Sequence, residues 1–253
     1  MSQKNRVATT IDPDDVARFS AMAAEWWDMQ GPFAPLHKFT PVRLELIREW
    51  LSDHFMLAEN AEKPFEGLKL LDIGCGGGLI SEPLTRLGAA VTGIDADPRT
   101  IGTAQMHAEQ TGLAIDYRTC LAENLAAENP GSFDAVIASE VLEHVANPSL
   151  FAASLAKLVR PGGAVFVTTL NRTMKSLLFG KFAAEYVLRW VPAGTHDWRQ
   201  FLTPEEVWAL LTEAGLVMTD KTGIRFNPFY DSFLRSSDLA INYAMLAIRP
   251  NTA

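Results

Sequence analysis

The chain has 253 residues, 48% of them apolar and 21% charged, and a formal charge of −8 near neutrality. A chain of this length fits one α/β core with elaborations better than two equal domains. The acidic balance sets DNA and RNA aside as partners, because affinity for phosphate backbones comes from clustered Lys and Arg. Cys75 and Cys120 are too few for a disulfide framework or a zinc site, so a reducing compartment is expected. Met1 to Asp15 is polar, does not read as a signal peptide and is expected to be a disordered tail. The protein is therefore expected in the cytoplasm.

Val16 to Asp28 carries apolar residues at helical spacing and ends at Gly31-Pro32. Thr40 before Pro41 reads as the N-cap of a second helix, along which Leu44, Ile47, Leu51 and Phe55 share a face. Residues 16–57 would form a helical cap and 58–67 a linker into a main domain over 68–253. There, apolar runs at Leu68–Ile73, Ala90–Ile94, Ala114–Arg118, Phe133–Ala138 and Ala164–Thr169 read as strands. Helical patterns at Ile80–Leu87, Pro98–Thr111 and Pro148–Val159 separate them. The alternation predicts a doubly wound, mostly parallel, Rossmann-like sheet, with ligands at the carboxyl ends of its strands. Thr203-Pro204-Glu205-Glu206 opens another helix with a capping box, which stops at Gly215. Two more strands, near Leu216–Arg225 and Leu239–Ile248, bring the count to seven.

The stretch from Leu70 to Gly78, LLDIGCGGG, places a glycine-rich turn between the first strand and a helix. A dinucleotide fingerprint G-x-G-x-x-G fails here, since the sixth position from Gly74 is Leu79 and from Gly76 is Ser81. What fits is G-x-G-x-G across Gly74, Gly76 and Gly78 with Asp72 in the preceding strand, and this resembles motif I of the class I S-adenosylmethionine-dependent methyltransferases. The resemblance implies that the loop lies under the cofactor and that Asp95, ending the second strand, takes the ribose hydroxyls. A carboxylate can accept from both hydroxyls of a diol, and Asp95 lies 21 residues past Gly74, the span of one β-α-β unit. The resemblance also puts the backbone of Ser139 beside the cofactor's sulfonium. Glu123 would contact adenine or else be a surface helix residue.

Ser139-Glu140-Val141-Leu142-Glu143-His144 follows the fourth strand, beside the expected position of the reactive methyl group. On a helical turn, Glu140, Glu143 and His144 could direct two carboxylates and an imidazole at one Mg²⁺ ion. Alternatively His144 acts as a general base, with Glu140 beside it. Similar Leu-Glu-His sequences also occur in metal-free members of the superfamily. A phenol, with a pKa near ~10, is about one part in a thousand ionised at neutral pH, a deficit of roughly 4 kcal/mol that either device would remove.

Blocks outside this core are more discriminating. Phe19 to Asp28, FSAMAAEWWD, Gly31 to His37, GPFAPLH, Thr40-Pro41-Val42-Arg43, Thr169-Leu170-Asn171-Arg172 and Val191 to Trp198, VPAGTHDW, resemble the O-methyltransferases of ubiquinone biosynthesis. The resemblance covers nearly the whole chain and implies O-methylation of polyprenylated phenol and quinol precursors at two steps. It further implies that Arg43 contacts the cofactor carboxylate, with Gly74, Asp95 and Ser139 completing that site, and that other enzymes of the pathway are candidate partners. Methylation of another small molecule or of a ring carbon is the competing activity, and cofactor binding without turnover is the non-enzymatic one. Asn227-Pro228-Phe229-Tyr230 resembles a base-methyltransferase tetrapeptide but lies far from the fourth strand, and reads as a turn before the last strand.

Residues 172–200 read as an insertion. Between Arg172 and Arg189, four positive residues and one negative, Glu185, accompany an apolar face that includes Leu177, Leu178 and Phe182. This face could lie on an anionic membrane surface, making the protein peripheral on the inner face, or close as a lid over its own pocket. Charges interrupt it too often for a bilayer span.

Overall fold

The structure, a computed structural model, describes residues 9–58, 61–177 and 198–251. Among the described residues two α-helices precede the sheet, α1 (Pro13–Ala21) and α2 (Ala34–Phe55). Strands and helices then alternate through β1 (Lys69–Ile73), α3 (Ser81–Arg86), β2 (Ala90–Asp95), α4 (Pro98–Gln110), β3 (Asp116–Thr119) and α5 (Ala122–Glu128). They continue through β4 (Phe133–Ser139), α6 (Pro148–Leu158), β5 (Val159–Leu170) and α7 (Pro204–Glu213), and end in β6 (Val217–Asn227), β7 (Ser232–Ser236) and β8 (Asn242–Ile248).

The sheet order is β3-β2-β1-β4-β5-β8-β6-β7. β1 to β5 pair in parallel, whereas β8 runs antiparallel to β5 and β6, and β7 antiparallel to β6. The order reverses between β1 and β4, so the loops after these two strands open a crevice at their carboxyl ends. Both faces of the sheet are covered, which explains the continuous apolar runs of the central strands. Val136 and Ala138 point to a core shared with Phe151, Leu155 and Leu211. Ala135 and Ile137 point to one shared with Leu46, Ile47 and Leu84.

The expected class is thus found, with four local differences. Among the described residues the sheet has eight strands, because Ser232–Ser236 adds an edge strand and Asn227-Pro228-Phe229-Tyr230 turns into it rather than into the last strand. α5 was missed, its seven residues being too short to show a periodicity. α2 begins at Ala34, so Pro41 lies inside it. An internal proline costs roughly 3 kcal/mol, but Phe39, Val42, Leu46, Ile47 and Trp50 along the same helix are all buried. The segment expected as one helix over Val16–Asp28 starts at Pro13, capped by the Asp12 side chain, and breaks at Met22 into a single 3-10 turn, Ala23–Glu25.

Part of the expected tail is structured. Ala146 N–H donates to Thr10 O at 2.9 Å, and Ile11 bridges to Val145. Residues 1–8 lie outside the described residues, as does 178–197, most of the predicted insertion with Lys181, Glu185 and Arg189. The ends of that insertion lie together: Trp198 Nε1 donates to Thr173 O at 3.0 Å, and Arg172 pairs with Glu206. Among the described residues no helix is long and apolar enough to cross a membrane.

The predicted capping box of α7 is present, with Glu206 N–H donating to Thr203 Oγ1 at 3.2 Å and Thr203 N–H to Glu206 Oε2 at 2.8 Å. Thr203→Ala is expected to lower the unfolding free energy by about 1 kcal/mol without changing activity, as read from urea denaturation.

Candidate active site

The crevice holds a cavity of about 560 Å³, walled by the glycine loop, the ends of β2 and β4, the cap helices and the β6–β7 hairpin. Gly74 has φ +66° at the end of β1, and its N–H donates to Ile94 O at 2.8 Å. Gly76 and Gly77 have a second constraint. A Cβ on either would lie 2.3 or 2.6 Å from the Trp26 side chain, so their bareness admits the cap as well as a ligand. Trp26 stacks on Phe33 with centroids 3.8 Å apart. Trp27 stacks on His107 at 3.5 Å and donates from Nε1 to Gly77 O at 3.0 Å.

Asp95 accepts from Gly76 N–H at 3.2 Å and from Asp97 N–H at 2.9 Å, which fixes its carboxylate on the cavity wall. Burial raises its pKa, and those backbone N–H groups only partly oppose the rise. Asp72, buried behind the loop, accepts from Ser81 Oγ at 2.6 Å, and burial pushes its carboxyl up to about 7. Arg43 enters from α2 and is 3% exposed. Its Nη1 donates to Ser139 Oγ at 2.8 Å and its Nη2 to Thr40 Oγ1 at 2.8 Å, while its Nε has no partner. Burial lowers its pKa to about 10 against the pull of Glu140, Asp72 and Glu143. It therefore remains a cation at neutral pH.

After β4 the chain turns sharply. Glu140 takes φ +58°, a conformation that costs a non-glycine residue free energy and recurs at functional sites. Enclosure, and then the Glu143 carboxylate, push Glu140 up to about 8. Glu143 is buried and accepts from Thr169 Oγ1 at 2.7 Å. His144 lines the cavity with its Nδ1 3.1 Å from Asp15 Oδ2. Burial opposes the charged imidazole, yet the Asp15 hydrogen bond and the nearby Glu143, Asp15 and Glu140 charges outweigh it and raise the pKa of His144.

The expected trio of metal ligands is not assembled. Glu140 and Glu143 each keep a buried Oε1 without a partner, as two ligands of a cation would. However, Glu143 leans on Thr169 and His144 on Asp15, and among the described residues no three His, Cys, Asp or Glu side chains converge on one point. The residues do not fit the ion as a three-ligand site. Glu123 likewise turns away from an adenine role, accepting from Thr10 Oγ1 at 2.6 Å and Thr9 Oγ1 at 3.0 Å, and so tying down the N-terminal segment. Arg43, Gly74, Asp95, Ser139, Glu140 and His144 all line the one cavity. Sequence reasoning missed Asp15 and Trp26. Asp15 has no motif and Trp26 only a place in the FSAMAAEWWD block, and each acts across the fold on a distant segment.

A doubly wound sheet whose glycine loop and acidic strand ends enclose one cavity at the switch point is the framework of a class I methyltransferase. Residues 71–167 match a methyltransferase-domain family. The whole fold resembles magnesium protoporphyrin IX methyltransferase from Synechocystis (TM-score 0.61, 21% identity, 93% of each chain) and a methyltransferase from Aquifex aeolicus (TM-score 0.58, 15% identity, 94% and 99% of the two chains). Sequence similarity is closer to the ubiquinone biosynthesis O-methyltransferases of Caulobacter vibrioides, 57% identical over 93% of this chain and 94% of that one, and Parvibaculum lavamentivorans, 52% identical over 95% of each. The chain belongs to the ubiquinone biosynthesis O-methyltransferase family, enzymes that use S-adenosylmethionine as methyl donor.

Gly77 has no positive φ, so Gly77→Ala tests the close approach of Trp26 alone. We expect the cap to be displaced, seen as a red shift of tryptophan emission and a roughly tenfold weaker affinity for S-adenosylmethionine by calorimetry.

Proposed function

We propose that the chain methylates the phenolic hydroxyl of polyprenylated ubiquinone precursors, at both O-methylation steps, with His144 as general base. The observation that carries the reading is the Asp15–His144 pair on the cavity wall. With Nδ1–H donated to Asp15, Nε2 is the ring's acceptor and can take the phenolic proton, and the Asp15 carboxylate steadies the imidazolium that results. Bound S-adenosylmethionine supplies a methyl group made electrophilic by its sulfonium. Asp95 holds the ribose, Gly74 and the Ser139 backbone bracket the amino-acid and sulfonium end, and Arg43, whose Nη2 also donates to Leu36 O at 3.2 Å, faces the carboxylate through the N–H groups that Ser139, Thr40 and Leu36 leave open. Glu140, largely protonated near neutrality, can donate a hydrogen bond that orients the substrate oxygen.

The cavity wall supports a prenylated substrate. Away from the glycine loop it becomes apolar, with Leu36, Phe39, Phe226, Phe233 and Ile241 lining it. Each methylene of a prenyl tail removed from water there is worth about 0.8 kcal/mol. Such a substrate resides in the bilayer, so the enzyme works as a peripheral protein at the membrane surface, beside the enzymes of the same pathway.

Three expected outcomes test this reading. His144→Ala should lower kcat on a short-chain catechol by about 10²–10⁴-fold with labelled S-adenosylmethionine still bound. The same assay in excess chelator separates base catalysis, which persists, from a requirement for a divalent ion. The sign of the pH dependence follows from the raised pKa of His144. Below that pKa the ring holds its proton and cannot accept another, so kcat rises as pH passes through it. Asp15→Asn removes the negative charge that helps raise it, so the acid limb should move to lower pH while the plateau falls. Asp95→Ala should weaken cofactor binding at unchanged thermal stability, and an unaltered affinity would take Asp95 out of the site.

A further inference from the structure

The turn between β6 and β7 presents two adjacent aromatic rings to water, with Phe229 93% and Tyr230 77% exposed. An isolated exposed apolar residue needs no explanation, but neighbouring ones that border a binding cavity do. Here Pro228, next in the chain to Phe229, lines the active-site cavity, and so do Phe226 and Phe233 at the base of the same hairpin. The exposed tip and the apolar wall of the cavity are therefore one continuous surface.

The hairpin is held from both sides. Phe229 N–H donates to Asn227 Oδ1 at 2.9 Å, and Lys38 Nζ on α2 clasps Asp231 at 2.7 Å. Phe233 packs against Phe226 and Phe39 with centroids 5.2 and 4.7 Å apart. Bracing of this kind keeps the tip projecting and leaves the two rings no place in the core. Arg225, exposed on the same hairpin at the mouth of the cavity, has no ion-pair partner among the described residues.

We propose that the β6–β7 tip is a bilayer-docking element, with Phe229 and Tyr230 seated at the boundary of headgroups and acyl chains and Arg225 facing lipid phosphate. Aromatic rings with one wet and one apolar neighbour favour that boundary, and a cation beside them gains from phosphate. The placement lets a prenyl tail pass along Pro228, Phe226 and Phe233 into the cavity without crossing water. It rests on the prenylated-substrate reading for its purpose, but not for its test.

The tip can be probed in the full chain with Phe229→Trp, an exposed position where folding is not at risk. On vesicles of phosphatidylcholine with one-third phosphatidylglycerol, its emission should shift to the blue, and brominated acyl chains should quench it. Met106→Trp, exposed on α4 at the opposite edge of the sheet, should show neither change. Absence of quenching at position 229 overturns the proposal, as does a blue shift without vesicles that grows with protein concentration, the mark of a second copy on the tip. Phe229→Asp combined with Tyr230→Asp should lower kcat/KM on a long-chain phenol carried in vesicles by about tenfold, with a short-chain soluble phenol turned over as before. Equal losses on both substrates would also overturn it. If the unaltered enzyme methylated neither phenol, the functional reading would fail, and quenching would still decide the docking.

Discussion

The site depends on one buried cation among carboxylates. Arg43 is the only positively charged side chain among the buried described residues, whereas Asp72, Asp97, Asp15 and Glu143 are buried around the same cavity. Burial suppresses part of this negative charge, pushing Asp72 up to about 7 and Glu140 up to about 8, while hydrogen bonds hold Asp15 and Asp97 below the usual carboxylate range. The charge of Arg43 opposes that rise at both Asp72 and Glu140. The remaining field is suited to a sulfonium, which is positive before methyl transfer and a neutral thioether after it. Attraction that disappears with the reaction helps product to leave.

The same arginine joins the two halves of the fold. It comes from α2, in the cap, and hydrogen-bonds the end of β4, in the sheet. Trp26 and Trp27 make the second join, onto the glycine loop and α4, and the Thr10–Ala146 and Asp15–His144 contacts make the third. Each join lands on a residue of the cavity wall or the loop beneath it. Cap position and site geometry are consequently one variable, and residues far apart in the chain, such as Asp15 and His144, work on a single group.

The sheet was legible because its signals are local: buried parallel strands read as short apolar runs, and glycines mark the turns between them. Gly74, Asp95, Ser139 and Arg43 were legible through motif and resemblance, and all reach the cavity. What was not legible is non-local. The start of α2 was misplaced because Thr40-Pro41 carries the strongest N-terminal signal in the segment, and only tertiary burial of Phe39, Val42 and Leu46 overrides it. The metal trio was inferred from spacing on an idealised helical turn. The chain instead takes φ +58° at Glu140 and a 3-10 turn over Leu142–His144, with Glu143 turned onto Thr169 and His144 onto Asp15. No spacing rule reports such a turn.

The cavity's division suits one site to two related substrates. Asp95 and Glu140 bring carboxyl groups to one part of its wall, and Leu36, Phe39, Phe226 and Phe233 make another part apolar. His144 lines the same cavity, paired with Asp15, and is the base on the proposed reading. A phenol anchored by its tail and its reacting oxygen leaves the other ring substituents less constrained. Discrimination between an early and a late precursor then falls to weak apolar contacts, where one methyl-sized difference is worth only about 1–3 kcal/mol. On the proposed reading both rings are accepted, and a substrate with a shorter tail keeps the reacting oxygen in place but binds more weakly for each apolar contact it loses.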